Sequence, residues 1–390
     1  MTAIQHNLAA RLAEVRSLTN LSQKELADKL DLSPSLISHW EKGTRVPSES
    51  QLLELARNLG VALDYLLNAE VRPHFRFRAK KTGNPEMPAI DRALIDAATQ
   101  IHFVDAAHRL SGKAPRPFSL WAEFTTYDNL PDIASEYRSS LKLNHRVTLS
   151  EFKQALSERN VFVFEWNMPW SLSGLSFRGP FAAIFINRAH SAARRLFTLS
   201  HEFAHILFHL GRDAHGGKKA DASEPTDTVV SIASQKDEHE KQANAFAGEF
   251  LLPESEVERL VKNEGIQLRE PVILDAAARA FNVSRDALFY RLTKFDIFSW
   301  SDKWKYFPRN FVPPPIPSLR VEKVEWQVDF AFQRMALDLL MQDKVTTGKL
   351  AQWFFTERHF VDAYLAEVNK PTDMAISDDN NHDDEPLLAD

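Results

Sequence analysis

Hydrophobic and polar positions divide the chain into stretches of different period. Residues 5–68 form short amphipathic helical patterns separated by turn residues. From Arg72 to Lys81 the period drops to two, with His74, Arg76 and Arg78 alternating against Phe75, Phe77 and Ala79, which predicts a short strand or extended linker. Lys81-Thr82-Gly83-Asn84-Pro85 reads as a turn, and residues 90–160 are mostly helical in pattern. Between 161 and 187 three β-branched or aromatic runs predict strands: Val161–Trp166, Leu175–Phe177 and Phe181–Asn187, broken by Gly174, Gly179 and Pro180. Helical periodicity resumes around Phe197–Leu210 and again from Asp237 to about Leu292. A stiff proline run, Phe311–Pro317, precedes a last helical segment at about 325–368. The expected class is multidomain and mostly α with a small sheet, an all-α N-terminal domain followed by an α+β domain. No internal repeat is evident.

Composition narrows this picture. The 390 residues suit two or three domains, and 44% hydrophobic content suffices for ordinary cores. No apolar run approaches the roughly 20 residues that span a bilayer, and the N-terminus lacks the apolar stretch of a secretion signal. A cytoplasmic location and no membrane partner are expected. With no cysteine, disulfides and thiolate metal sites are excluded. The net charge of −6 is carried by the end of the chain: the last twenty residues hold seven carboxylates and no Lys or Arg, so the rest is close to neutral. Such a tail is expected to be solvated and disordered.

The densest chemistry is His201-Glu202-Phe203-Ala204-His205, inside an apolar helical pattern. Histidines four apart share a helix face and can reach one metal ion, and the adjacent carboxylate can take a proton from water. Burying two imidazoles and a carboxylate side by side is costly without a compensating partner. A catalytic zinc needs a third protein ligand. The helix Glu238–Leu252 offers Glu240 on a stripe with Ala243 and Ala247, two small residues that permit close helix approach. Glu238 and Glu249 read as solvated. His209, His215 and His239 are alternatives, His209 being rotated off the axis of the pair, where a place behind the ligands or in the core is expected. The polar, small-residue-rich stretch Asp213–Gln235 reads as a loop beside the site.

In the N-terminal region Ser22 caps a helix starting at Gln23, with Glu25 placed to close a capping box and Leu26, Ala27 and Leu30 facing inward. Ser33 and Pro34 open a second helix, which stops at Gly43. Leu36, Ile37 and Trp40 face its core side, leaving Ser35, Ser38, His39 and Lys42 as a polar array suited to a major groove. The segment resembles the Xre/phage-repressor helix-turn-helix family over about 60 residues, on Leu21–Ala27, Leu32-Ser33, Ile37-Ser38, Trp40–Gly43 and Pro47-Ser48. Asp31 and Pro34 depart from the family's usual glycine and polar residue. The resemblance implies Gln23, Ser33, Lys42 and Arg45 as DNA-backbone contacts and Ser35, Ser38 and His39 as base readers. Double-stranded operator DNA is the implied partner, with homodimerisation supplying affinity that a module without strong basic character lacks.

Arg195–His205, Glu240–Ala247 and Leu251-Leu252-Pro253, in that order, resemble the ImmA/IrrE zinc peptidases, and the strand ending at Asn187 and the segment Phe281–Leu292 fit the same family. This likeness spans about 160–295. It implies His201, His205 and Glu240 as Zn2+ ligands, Glu202 as general base, and a transcriptional repressor as the protein cleaved to switch on stress, mobile-element or defence genes. The alternative is a non-proteolytic regulator that uses the zinc fold as a sensor or dimerisation domain. Segment 283–292 is expected to pack in the peptidase domain rather than read DNA. The expected division is 5–68 helix-turn-helix, 69–100 linker with a short strand, 101–300 zinc peptidase domain, 301–370 an accessory helical region of unassigned role, and 371–390 acidic tail.

Overall fold

Near-continuous apolar runs make strands that are buried on both faces, and that is how the 161–187 region folds. The computed structural model describes residues 3–19, 21–68, 74–77, 87–114, 126–210, 227–232, 238–303 and 328–368. Strands β1 (His74–Phe77), β2 (Val161–Trp166), β3 (Leu172–Arg178), β4 (Ala182–Asn187) and β5 (Asp227–Ile232) form one sheet in the order β1-β5-β3-β4-β2. The β1–β5 and β2–β4 pairs are parallel, whereas β3 runs antiparallel to both β4 and β5. The alternation of the pleat sends Val161, Val163, Ala182, Ile184 and Ile186 into one core, and Phe162, Phe164, Ala183 and Phe185 into another.

The helices fill these two cores differently. The first is covered by α7 (Leu130–Ser140), α8 (Leu149–Ser157), α9 (Ala192–Ala204), α10 (Glu238–Leu251), α11 (Glu254–Glu264), α12 (Pro271–Ala280) and α13 (Arg285–Leu292). In α13, capped by Ser284, Leu288, Phe289 and Leu292 are buried, so this segment packs as expected. The opposite core is built by α6 (Met87–Ser111) together with α14 (Phe330–Met341), α15 (Thr347–Trp353) and α16 (Arg358–Val368). Asp329 fastens the last group to the sheet. Its carboxylate caps α14 by accepting from the Ala331 and Phe332 amides, and it also accepts from the Val163 amide of β2 at 3.0 Å and from Ser157 Oγ at 2.9 Å.

The structure bears on three expectations. The boundary placed between a linker and the peptidase domain at 100/101 falls inside the continuous 25-residue helix α6. That helix is apolar on more than one side, with Ala98 in the N-terminal core and Ile101 against the sheet. The stretch 213–235, read as a loop, contains β5, which lies between β1 and β3. Within 301–370, the region left without a role, helices α14–α16 bury Phe332, Trp353 and Phe354 in the second core. Phe330 stays exposed. The turn at 81–85, the proline run at 311–317, Trp304, Tyr306, Phe307, Trp326 and the acidic tail lie outside the described residues. Among the described residues, no helix is long and apolar enough to cross a membrane.

The N-terminal bundle comprises α1 (Ala3–Leu18), α2 (Gln23–Lys29), α3 (Pro34–Glu41), α4 (Glu49–Leu59) and α5 (Leu63–Asn68). Capping boxes start α2 (Ser22 with Glu25) and α4 (Ser48 with Gln51), and Pro34 opens α3. Asp31 takes up a left-handed φ of 55°, a conformation that favours glycine and that Asp tolerates. Leu12, Leu26, Ile37, Trp40, Leu55 and Tyr65 close the core. The Asp64 carboxylate of α5 is bonded to His102 Nε2 of α6 and to Lys349 Nζ of α15, at 3.1 and 3.0 Å, tying the bundle to the second core.

Candidate metal centre and DNA-reading face

Helix α9 begins from a fixed point. Asn187, fully buried at the end of β4, donates through Nδ2 to the Met168, Pro169 and Leu172 carbonyls and accepts from the Met168 and Ala189 amides. His190 donates to the Trp170 carbonyl at 3.1 Å, and Ser191 caps the helix. Burial, followed by the neighbouring Arg194 cation, pushes the His190 pKa down to about 4, so this ring stays neutral. From there α9 runs beneath β3 and β4, and its last two turns bring His201 and Glu202 into the interior.

The metal-ligand candidates converge. His201 Nε2 and His205 Nε2 are 3.1 Å apart, and the Glu240 carboxylate of α10 reaches them at 3.1 and 3.3 Å through its two oxygens. The three donor atoms lie within 4.8 Å of one another, and all three residues are buried. Helix α10 packs on α9, and Ala243 and Ala247 of α10 are both at 0% exposure. Burial by itself would push the His201 pKa down. The Glu240 hydrogen bond and the Glu202 and Glu240 carboxylates override it and raise the pKa. Burial likewise favours a neutral Glu240, but hydrogen bonds from both histidines hold it well below the usual carboxylate range.

The donor set fits a divalent zinc ion. His201 Nδ1 faces the Asn244 carbonyl oxygen at 3.0 Å, and a ring that donates there presents a lone pair at Nε2. Lone pairs and a carboxylate facing one point inside a protein need a cation between them. Two imidazoles and one carboxylate, with no thiolate, are a ligand set found in zinc hydrolases with a coordination position left open.

Glu202 is 0% exposed and accepts a hydrogen bond from Ser176 Oγ of β3 at 2.8 Å. Gly174 on the same strand makes room for it: a Cβ there would sit 2.7 Å from Glu202 Oε1 and equally close to Thr198 Cγ2. The sequence marks Gly174 only as a strand break, where β3 in fact runs through it, and does not single out Ser176, since a contact between a strand and a helix has no local signature.

The remaining candidates sort clearly. His209 is not in the converging group; its ring lies behind His205. His239 stacks on His209 with ring centroids 4.3 Å apart, and His215 lies outside the described residues. Glu238 is exposed and accepts from Tyr127. The expectation that Glu249 is solvated is overturned: it is 4% exposed and paired with Arg291 at 2.5 Å, an ion pair that joins α10 to α13.

In the N-terminal bundle Ser33, Ser35, His39, Lys42 and Arg45 are exposed, Ser38 is half-buried, and Ile37 and Trp40 face the core. Ser33 caps α3 by position alone, its hydroxyl bonding to that of Ser35 at 3.0 Å. Gln23 donates to Glu41 at 2.7 Å, and Glu41 also receives Arg16. His39 Nδ1 is 2.9 Å from Thr44 Oγ1.

Comparison with known proteins agrees with both regions. Residues 157–293 match the IrrE N-terminal-like domain, and residues 12–66 match the helix-turn-helix family. Over 64 residues the chain is 36% identical to the HTH-type transcriptional regulator ImmR of Bacillus subtilis (strain 168), covering 16% of this chain and 50% of that protein. It is 35% identical over 74 residues to the uncharacterized HTH-type transcriptional regulator YqaE of the same organism, covering 19% of this chain and 64% of that one. The chain thus spans between half and two thirds of the length of these relatives. A crystal structure of ComR from Streptococcus suis aligns over 95% of this chain and 97% of its own, at 12% identity and a TM-score of 0.16, too low to carry an argument. The chain joins an Xre-type helix-turn-helix domain to an IrrE-type zinc-peptidase domain and so matches the ImmA/IrrE-like regulators.

Proposed function

We propose that the chain is a cytoplasmic zinc-dependent endopeptidase carrying its own operator-binding domain, and that it cleaves a transcriptional repressor. The observation that carries the catalytic half is a buried His201–His205–Glu240 cluster with an equally buried carboxylate, Glu202, in the residue next to the first ligand. When bound, zinc supplies a Lewis acid that polarises a peptide carbonyl and acidifies water. Glu202 takes the proton of the attacking water and returns it to the leaving amine. The Ser176 hydroxyl at 2.8 Å and the space above Gly174 hold that carboxylate in one place. On the DNA side, exposed Ser35 and His39 with half-buried Ser38 enter the major groove, while Gln23, Ser33, Lys42 and Arg45 meet the phosphates. The repressor as substrate follows from the resemblance to the ImmA/IrrE family and from the regulators that the N-terminal domain matches.

The test is Glu202→Gln, which keeps size and polarity but cannot accept the proton. Reporter genes under the cleaved repressor should stay off, and cleavage should fall by about 10²- to 10⁴-fold, with zinc content and operator binding unchanged. An unchanged regulatory output would instead identify a regulator that cuts nothing.

A further inference from the structure

The two histidines of the cluster are held from behind by hydrogen-bond chains that both end on α10. His201 Nδ1 lies 3.0 Å from Asn244 Oδ1. Behind His205 the arrangement has one more member. Its Nδ1 is 2.9 Å from His209 Nδ1, and His209 Nε2 is 2.9 Å from Gln242 Oε1. His209 reaches this position because the helix widens after Ala204: residues His205–His209 form a π turn, closed by the Leu210 amide donating to the His205 carbonyl at 3.0 Å. Turns of this kind are rare and concentrate at functional sites. His239 stacks on the His209 ring with centroids 4.3 Å apart.

Proton counting gives this chain one direction. A histidine that offers the Nε2 lone pair to a metal carries its proton on Nδ1. His205 then donates from Nδ1, and His209 accepts at Nδ1. The neutral His209 ring therefore holds its proton on Nε2, where the Gln242 carbonyl oxygen accepts it. On the other ring, His201 donates from Nδ1 to Asn244. Glutamine and asparagine oxygens close both chains, so neither adds charge to a pocket that already holds Glu202 and Glu240.

We propose that His209, Gln242 and Asn244 are positioning residues for the metal centre: they fix the tautomer and the aim of His205 and His201, and so set metal affinity without touching the metal. This rests on the zinc reading given above. Groups that orient ligating histidines in this way typically account for about 10- to 100-fold in metal affinity. Asn244 is exposed, so its replacement leaves the fold intact.

The experiment is a competition titration of the full chain with zinc and a chromophoric chelator, for the wild type, Asn244→Ala, His209→Phe and His209→Asn. Thermal unfolding of each metal-free variant runs alongside. Asn244→Ala should weaken zinc binding by about 10-fold with an unchanged metal-free unfolding midpoint. His209→Phe preserves ring packing but cannot accept from His205, and should lose about 10- to 100-fold. His209→Asn places an acceptor oxygen near the position of Nδ1 and should recover most of that loss. Imidazole 15N resonances of the zinc-loaded wild type should show His209 protonated at Nε2 and bare at Nδ1. Zinc affinities of Asn244→Ala and His209→Phe equal to the wild type would overturn the proposal, as would the opposite His209 tautomer. Equal losses in the Phe and Asn variants would overturn it for His209, leaving packing as its role. A wild type that takes up no zinc would overturn the metal reading itself, which separates the two failures.

Discussion

The end of α9 and the face of α3 both present polar side chains for chemistry, and they do so in opposite ways. At the end of α9, His205 and Glu202 are 0% exposed, and partners lie within hydrogen-bond reach of both. On α3, Ser35 and His39 stand in solvent beyond Ile37 and Trp40, which fix the helix beneath them. On the proposed function, the difference follows from what each region does. A group that moves protons must be held in place before the reaction, in surroundings where its charge is strongly felt. A group that recognises DNA must keep its donors and acceptors available to the partner, so rigidity is supplied by the helix and not by the reader. Rigidity costs burial of charge on α9, and Asn244, Ser176 and Glu240 offset it with hydrogen bonds.

This contrast breaks most readily at Gly174. Gly174→Ala forces a methyl against Glu202 and Thr198, both in a packed interior. It should destabilise the fold by about 1–3 kcal/mol and reduce cleavage by more than the folded fraction accounts for. Denaturant unfolding combined with a peptide-cleavage assay on the folded protein checks this, and a stability loss with full residual activity would detach Gly174 from the placement of the carboxylate.

His190, at the entrance of α9, sharpens the electrostatic side of the comparison. Its folded pKa is pushed from 6.5 to about 4. Between those values the unfolded chain binds the extra proton, so stability should rise with pH through that window and fall as the pH drops from 6.5 towards 4. His190→Gln should flatten this segment of the stability profile, as measured by unfolding midpoints at closely spaced pH values.

The smallest effect on stability belongs to the DNA face. His39→Ala removes an exposed side chain whose partner is Thr44 on the same surface. The fold should change by no more than about 0.5 kcal/mol, whereas operator affinity should drop by about 1–3 kcal/mol if His39 reads a base. Fluorescence anisotropy with operator and scrambled duplexes separates a specific loss from a general one.

How much of this was legible in the sequence follows the range of the forces involved. Ser22 with Glu25, Pro34 and Gly43 act within a few residues, and the helices they delimit stand where the pattern put them. His201 and His205 were visible because one helix carries both, and Glu240 because the alanine stripe beside it implied close approach. The roles of Ser176 and Gly174, and β5 itself, were not visible, since each depends on a neighbour brought up by the sheet. Glu249 misled for the same reason: its partner Arg291 lies 42 residues away, and a carboxylate without a local partner reads as solvated. His209 reads from its spacing as lying behind the ligands or in the core, whereas the π turn at 205–209 that sets its ring behind His205 has no mark in the sequence.

The account stands most directly on the metal. Zinc content per chain should be measured on the wild type and on Glu240→Ala, both purified without added metal. The account predicts about one zinc per wild-type chain, lost or weakened in the variant, as three protein ligands with one position open require. A wild type that is free of zinc and takes up none when it is supplied would contradict the account and leave a DNA-binding regulator built on a fold that hydrolyses nothing.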